Sequence, residues 1–191
     1  MVTDEGRVVE EWRQEGKSMV IRTPRWSDLE GYTALQKALY DEKVMVGPRN
    51  APPDANLRTG GDLLGKRLTN MASRVGVSLL AEADGRIVAE GTLTPTDGDG
   101  FIMLNLLILK DYHTEETGRR LMRALEEETR RLGKRRTCLT VWSANTPAYT
   151  LYTSLGYRDI VRLPDWVRSD LVPEGVCDLV WMMKDLRPLE R

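Results

Sequence analysis

Two hydrophobic periods alternate along the chain. Leu29, Tyr32, Leu35 and Leu39 recur at three- and four-residue intervals, which predicts a helix over residues 26–40. Leu63, Leu64, Leu68 and Met71 repeat the pattern over 62–74, and Leu121, Leu125 and Leu132 over 116–132, where Gly133 is the stop. Glu126 with Arg130, and Glu127 with Arg131, stand four apart on what this register makes the outer face of that third helix. Each such pair contributes only about 0.3–0.5 kcal/mol. Short apolar runs at 77–83, 87–94, 101–109, 137–142, 157–163 and 176–184 predict strands. Asp84-Gly85 between the first two favours a type I′ hairpin, and Thr96-Asp-Gly-Asp-Gly100 predicts another turn. Near the start, 7–13 and 19–23 read as two strands about Gly16, the first an extra edge strand.

A fourth helix lies in Ser143-Ala-Asn-Thr-Pro-Ala-Tyr-Thr-Leu-Tyr-Thr-Ser-Leu-Gly-Tyr157. Thr146 reads as its N-cap with Pro147 at the first helical position, and Gly156 supplies the left-handed stop. Leu151 and Leu155 share one face. Tyr152, one residue on, falls beside that buried row, with its hydroxyl free to point out of the helix.

From residue 19 the order is β–α–α–β–β–β–α–β–α–β–β. Helices between strands imply an α/β fold, with a mixed central sheet of about seven strands covered by helices on both faces, plus the extra N-terminal strand. Residues 1–18 form an N-terminal extension and 19–191 one domain. Segment 41–56, with Gly47, Pro48, Pro52 and Pro53, predicts a long loop, which reads either as a substrate wall or lid or as a disordered surface loop. A second loop holds Pro164, Trp166, Arg168, Asp170 and Pro173.

Composition narrows the chemistry. The 191 residues are 41% hydrophobic and 30% charged with a formal net charge of -1, which gives no electrostatic footprint for nucleic acid. No apolar run approaches the ~20 residues of a membrane span, and the first residues lack a signal peptide's pattern, so the expected compartment is the cytoplasm. Cys138 and Cys177 sit in strand-like runs and read as small buried hydrophobes. His113 is the single histidine, without metal-ligand spacing, which argues against a metal site.

Asn145, Ala148, Leu151, Tyr152, Leu155, Gly156 and Tyr157 resemble motif B of the GNAT superfamily of acyl-CoA N-acyltransferases, N-x-x-A-x-x-L-Y-x-x-L-G-F. The element order from 19 to 186 is similar to the GNAT fold as well. The family's motif A, a Q/R-x-x-G-x-G/A loop that cradles the CoA pyrophosphate, falls here on His113, Thr114, Glu115, Glu116, Thr117 and Gly118, followed by Arg119 and Arg120. Only Gly118 survives of its glycines. Glu115 and Glu116 suit a helix start, where the dipole favours anions, yet they stand where a diphosphate would lie. His113 reads either as a surface residue or as a donor to the pyrophosphate.

The resemblance implies acetyl-CoA as acyl donor, with no metal, and a primary amine as acceptor, on a protein N-terminus, a lysine or a small molecule. It makes Tyr152 the general acid for the departing sulfur. The strand at Leu106, Leu107, Ile108 and Leu109 would pair with the pantetheine amides, the N–H near Ile108 would polarise the carbonyl, and Asn145 would touch the pantetheine arm. No general base stands out: Asn105 is the polar residue of its strand, and Asp165, Asp170 and Asp178 are the acids elsewhere. A non-catalytic GNAT module that senses acyl-CoA or binds a partner is the competing reading. The N-terminal strand or the last strands could serve a homodimer.

Overall fold

The computed structural model describes residues 5–43, 56–95 and 100–186, with backbone alone at 95 and 100–105. Most of the 41–56 loop and of the 96–100 turn, and the Asn105 side chain, lie outside the described residues.

The N-terminal hairpin forms from β1 (Val8–Gln14) and β2 (Lys17–Arg22), and a 3-10 turn at Trp26–Asp28 leads into α1 (Leu29–Asp41). Then follow α2 (Leu57–Ala72), β3 (Val77–Ala83), β4 (Arg86–Pro95) and β5 (Gly100–Ile108). A 3-10 turn at Lys110–Tyr112 opens onto α3 (Glu115–Arg131), then β6 (Arg136–Trp142), α4 (Thr146–Ser154), β7 (Arg158–Arg168) and β8 (Val176–Asp185). The strands form one sheet in the order β1-β2-β3-β4-β5-β6-β8-β7, antiparallel throughout except where β5 lies parallel to β6. The extra N-terminal strand is thus one edge of the sheet. Asp84 and Gly85 both take positive φ, 48° and 82°, as the type I′ turn between β3 and β4 requires.

Alternation along β4 shows what covers each face. Glu90 accepts hydrogen bonds from Tyr32 Oη at 2.9 Å and Arg67 Nε at 2.9 Å, so its face is roofed by α1 and α2. Gly91 faces the other way: a β-carbon there would stand 2.7 Å from Leu125 Cδ1, so α3 lies on that face. Tyr32, Leu35, Leu39, Leu64 and Leu68 fill one interface and Leu121, Met122 and Leu125 the other. Each fully buried side chain of this kind contributes about 1.5–3 kcal/mol.

Two expectations are corrected. Glu126 is not an outward partner of Arg130; it is buried, and Lys184 Nζ of β8 donates to both its oxygens at 2.7 and 2.9 Å. Arg130 turns to Glu127 and Arg131 to Glu128, three residues back, because the covered arc of α3 is wider than its leucine stripe. The loop at Pro164 and Trp166 is also strand. β7 runs on to Arg168 across an irregularity between Leu163 and Val167, which accommodates a proline without an N–H. Asp165 takes φ 52° there and donates its N–H to Asp178 Oδ1 at 3.2 Å.

Candidate cofactor cleft

A wedge opens in the middle of the sheet. β5 and β6 pair only through Gly100–Met103 and Arg136–Leu139. Beyond these, β6 stays with β8 as far as Trp142 opposite Leu179, and β5 stays with β4 as far as Ile108 opposite Ala89. Among the described residues the two facing edges, 104–108 and 140–142, are unpaired. The Leu109 N–H donates to Val88 O at 3.0 Å, and the Leu109 carbonyl accepts the Tyr112 N–H at 2.9 Å. Antiparallel alternation then turns the backbone groups of Leu106 and Ile108 into the wedge and those of Leu107 toward β4. Of the four leucine and isoleucine positions, two therefore have main-chain groups free for a ligand amide.

At the end of β5 the chain makes one 3-10 turn and enters α3. His113 is exposed. Thr114 is the N-cap: its Oγ1 accepts the Thr117 N–H at 3.1 Å, while its carbonyl accepts the Gly118 N–H at 3.1 Å. The N–H groups of Glu115 and Glu116 have no acceptor among the described residues, at the positive end of the helix dipole. Both glutamates are exposed, and each is paired along the helix, Glu115 with Arg119 and Glu116 with Arg120. Arg119 also donates to Ser154 Oγ of α4 at 3.2 Å. The turn's two carboxylates are thus balanced by two guanidiniums.

Gly118 is buried for a packing reason. A β-carbon there would meet Leu151 Cδ2 of α4 at 2.8 Å and Ile108 Cδ1 of β5 at 3.8 Å, so three elements converge on it. α4 itself is capped by Asn145, whose Oδ1 accepts the Ala148 N–H at 3.3 Å; Thr146 is the first helical residue and Pro147 the second. This corrects the expected cap by one residue, and the Asn145 side chain holds the helix start.

Tyr152 does not flank a buried row; it is the buried residue of α4, 6% exposed, while Leu151 is half-buried. Its ring lies 6.1 Å from that of Tyr157, tilted by 57°. Burial pushes both phenols above their ordinary pKa of 10, and both stay protonated through neutral pH. The Tyr157 oxygen accepts from Thr137 Oγ1 at 2.9 Å. The Tyr152 hydroxyl has no hydrogen-bond partner among the described residues. The enclosed side-chain polar atoms without a partner there are Ser78 Oγ, Thr92 Oγ1 and Glu128 Oε1, so the Tyr152 oxygen keeps contact with open space.

The other candidates lie apart from this convergence. Asp178 accepts from Arg162 Nη1 at 2.9 Å, and that bond, with the Asp165 N–H, holds its carboxyl below the ordinary 3.8, which makes it a poor base. Asp165 and Asp170 are both exposed. Cys138 and Cys177 are free and half-buried. No group of His, Cys, Asp and Glu among the described residues could hold a metal ion, and no described helix is long and apolar enough to cross a membrane.

One contact has no counterpart in the sequence reading. Gln14, at the end of β1, reaches the Thr114 and Thr117 hydroxyls. Glu10, Trp12 and Gln14 alternate along β1, which marks a face of the strand but not what it meets.

The profile of the acetyltransferase (GNAT) domain matches residues 75–159, a span that holds the wedge, the α3 turn and α4. No curated protein matches the chain. Among solved structures, RimJ of Mycobacterium smegmatis in complex with CoA-disulfide is similar over 97% of this chain and 90% of its own, at 13% identity and a TM-score of 0.75. The yncA protein of Salmonella typhimurium, solved with its cofactor acetyl-CoA, is similar over 91% of this chain and 96% of its own, at 19% identity and a TM-score of 0.71. The ribosomal-protein-S18-alanine N-acetyltransferase of Escherichia coli covers 91% and is covered over 97%, at 16% identity and a TM-score of 0.64. These likenesses are of fold. Residues 75–159, across the wedge and its flanking helices, thus match the acetyltransferase (GNAT) domain, and the chain has the fold of these acetyltransferases.

Proposed function

We propose that the protein is an acetyl-CoA-dependent N-acetyltransferase acting on a primary amine, with residues 19–191 as its catalytic domain and 1–18 as an appended strand. The observation that carries this reading is Tyr152: a buried phenol, protonated and without a partner, on the helix that packs over Ile108 and the α3 turn. Acetyl-CoA as donor is supported by the Salmonella and Mycobacterium neighbours, which hold acetyl-CoA and CoA-disulfide. The Escherichia coli neighbour acts on a protein alanine, which keeps a protein N-terminus among the acceptors beside lysine and small amines.

Acetyl-CoA would lie in the wedge, its pantetheine amides against Leu106 and Ile108 and its diphosphate at the open amides of Glu115 and Glu116, beside Arg119. The amine must attack as the free base, and a lysine-like amine of pKa ~10.4 is less than about a thousandth deprotonated at pH 7. Attack on the thioester carbonyl builds an oxyanion, which the Ile108 N–H is placed to stabilise. The carbon–sulfur bond then breaks, and the electron pair leaves on sulfur. Tyr152 gives its proton to that sulfur, so the buried site does not keep a thiolate. The amine's surplus proton passes to solvent, and Tyr152 takes one back from solvent, so no net proton is gained or lost over the cycle.

A second reading rests on the turn itself. Thr114 and Glu116 stand where glycines are usual, and the Thr117 amide is engaged by the cap, as suits a module that binds acyl-CoA weakly and catalyses nothing. One experiment separates the two. Labelled acetyl-CoA is offered with pools of peptides and small amines to wild type and to Tyr152→Phe. The enzyme reading expects a labelled amide with the wild type and at least about tenfold lower turnover in the variant, at unchanged CoA affinity. Equal turnover in the two proteins removes Tyr152 from the chemistry, and no product from any pool favours the module.

A further inference from the structure

The N-terminal hairpin lies outside the matched span of 75–159, yet it is fastened to α3 from end to end. Arg7 Nη2 donates to Glu128 Oε2 at 2.7 Å toward the helix C-terminus. Glu10 pairs with Arg120, whose guanidinium also lies 5.1 Å from the centre of the Trp12 ring. Lys17 Nζ donates to Tyr112 Oη at 3.2 Å. Between these, Gln14 reaches the α3 cap.

The hydrogens around Gln14 can be assigned one by one. Gln14 Nε2 donates to Thr114 Oγ1 at 3.0 Å. The Thr117 hydroxyl donates to Gln14 Oε1 at 3.2 Å, and Trp12 Nε1 donates to the same oxygen at 3.2 Å. Thr114 and Thr117 Oγ1 atoms are 3.0 Å apart; since the Thr117 hydrogen is directed at Gln14, Thr114 is the donor between them. Thr114 Oγ1 also accepts the Thr117 N–H at 3.1 Å. Every hydroxyl hydrogen is therefore used within the ring, and the Thr114 rotamer is held as a cap. The next two amides, Glu115 and Glu116, are the ones left open. A glycine loop would leave this turn loose enough to fold around a phosphate. Here a side chain from a hundred residues away fixes it.

We propose that Gln14 is a positioning residue for the cofactor turn: by locking the Thr114 and Thr117 hydroxyls it presents the Glu115 and Glu116 N–H groups to the donor's diphosphate. This rests on the acyl-CoA reading above. Gln14 touches no reacting atom, so its removal acts on donor affinity and leaves the chemical step alone.

The test is calorimetry with CoA and with pantetheine, which lacks the diphosphate, on wild type, Gln14→Ala, Gln14→Glu and Arg7→Ala. Gln14→Glu keeps the acceptor for Thr117 and Trp12 but loses the donor to Thr114. Arg7→Ala loosens the far end of the same hairpin. Two hydrogen bonds of ordinary strength correspond to about a tenfold change. We expect CoA to bind about tenfold more weakly to Gln14→Ala and detectably more weakly to Gln14→Glu. Pantetheine affinity should be unchanged in both, and Arg7→Ala should bind both ligands as wild type does. In steady state the KM for acetyl-CoA should rise at constant kcat. CoA affinity unchanged in both Gln14 variants overturns the proposal while leaving the acyl-CoA reading intact. Equal weakening of CoA and pantetheine, or the same loss in Arg7→Ala, makes the hairpin a structural brace and also overturns it. A wild type that binds neither ligand at sub-millimolar concentration removes the acyl-CoA reading, and this proposal with it.

Discussion

Gly118 of α3 and Leu151 of α4 approach so closely that a β-carbon on the glycine would stand 2.8 Å from Leu151 Cδ2. The glycine's own N–H is directed at Thr114 O, so it is not offered to an anion. The surviving glycine of the turn thus serves helix packing, and the position of α4, which carries Tyr152, depends on it. Gly118→Val should lower stability by about 1–3 kcal/mol, the range for overpacking a filled site. The denaturant midpoint should fall at unchanged slope. Because α4 must shift, turnover should drop further than CoA affinity does. A variant as stable as wild type would show that Leu151 rotates away at no cost.

Burial raises the Tyr152 pKa above 10, so the phenol keeps its proton across the usual working range. A group acting as an acid is lost only as pH climbs through its folded-state pKa, which here lies above 10. Turnover at saturating amine should therefore rise with pH as the amine deprotonates, without a descending limb below pH ~10 that belongs to Tyr152. A pH–rate profile of wild type against Tyr152→Phe checks this. A falling limb near pH 8 that disappears in the variant would contradict the assignment.

Glu115 holds the guanidinium of Arg119, which would otherwise be free to face a phosphate. Exposed pairs of this kind are worth about 0.2–1 kcal/mol, so Glu115→Gln should tighten CoA by about 1.5- to 5-fold at low salt. Arg119→Ala should weaken it and flatten its salt dependence. Calorimetry at two ionic strengths measures both. Tighter binding in Arg119→Ala would place the diphosphate elsewhere.

What the sequence made legible was local. The leucine spacings of α1 to α3, the Asp84-Gly85 turn and the short helix ending at Gly156 are each set by residues a few positions apart, and each appears within a few residues of its expected place. The misreadings involve partners far along the chain. Glu126 looks like one more surface glutamate until Lys184, 58 residues on, is known to lie beneath it. Gln14 meets Thr114 across 100 residues, and no spacing rule reaches that far. The cap of α4 shifted by one because asparagine and threonine are both good caps, and only the backbone geometry at Asn145 decides between them. The sequence puts Tyr152 on the right helix but at the wrong depth, since a helix packed against both β6 and α3 is covered on more than its leucine stripe.

The most direct test is a crystal structure of the protein grown with acetyl-CoA. The account predicts the pantetheine between β5 and β6 beyond Met103, the diphosphate at the amides of Glu115 and Glu116, and the sulfur within about 3.5 Å of Tyr152 Oη. A donor bound elsewhere, or a wedge left empty at saturating ligand, would contradict it.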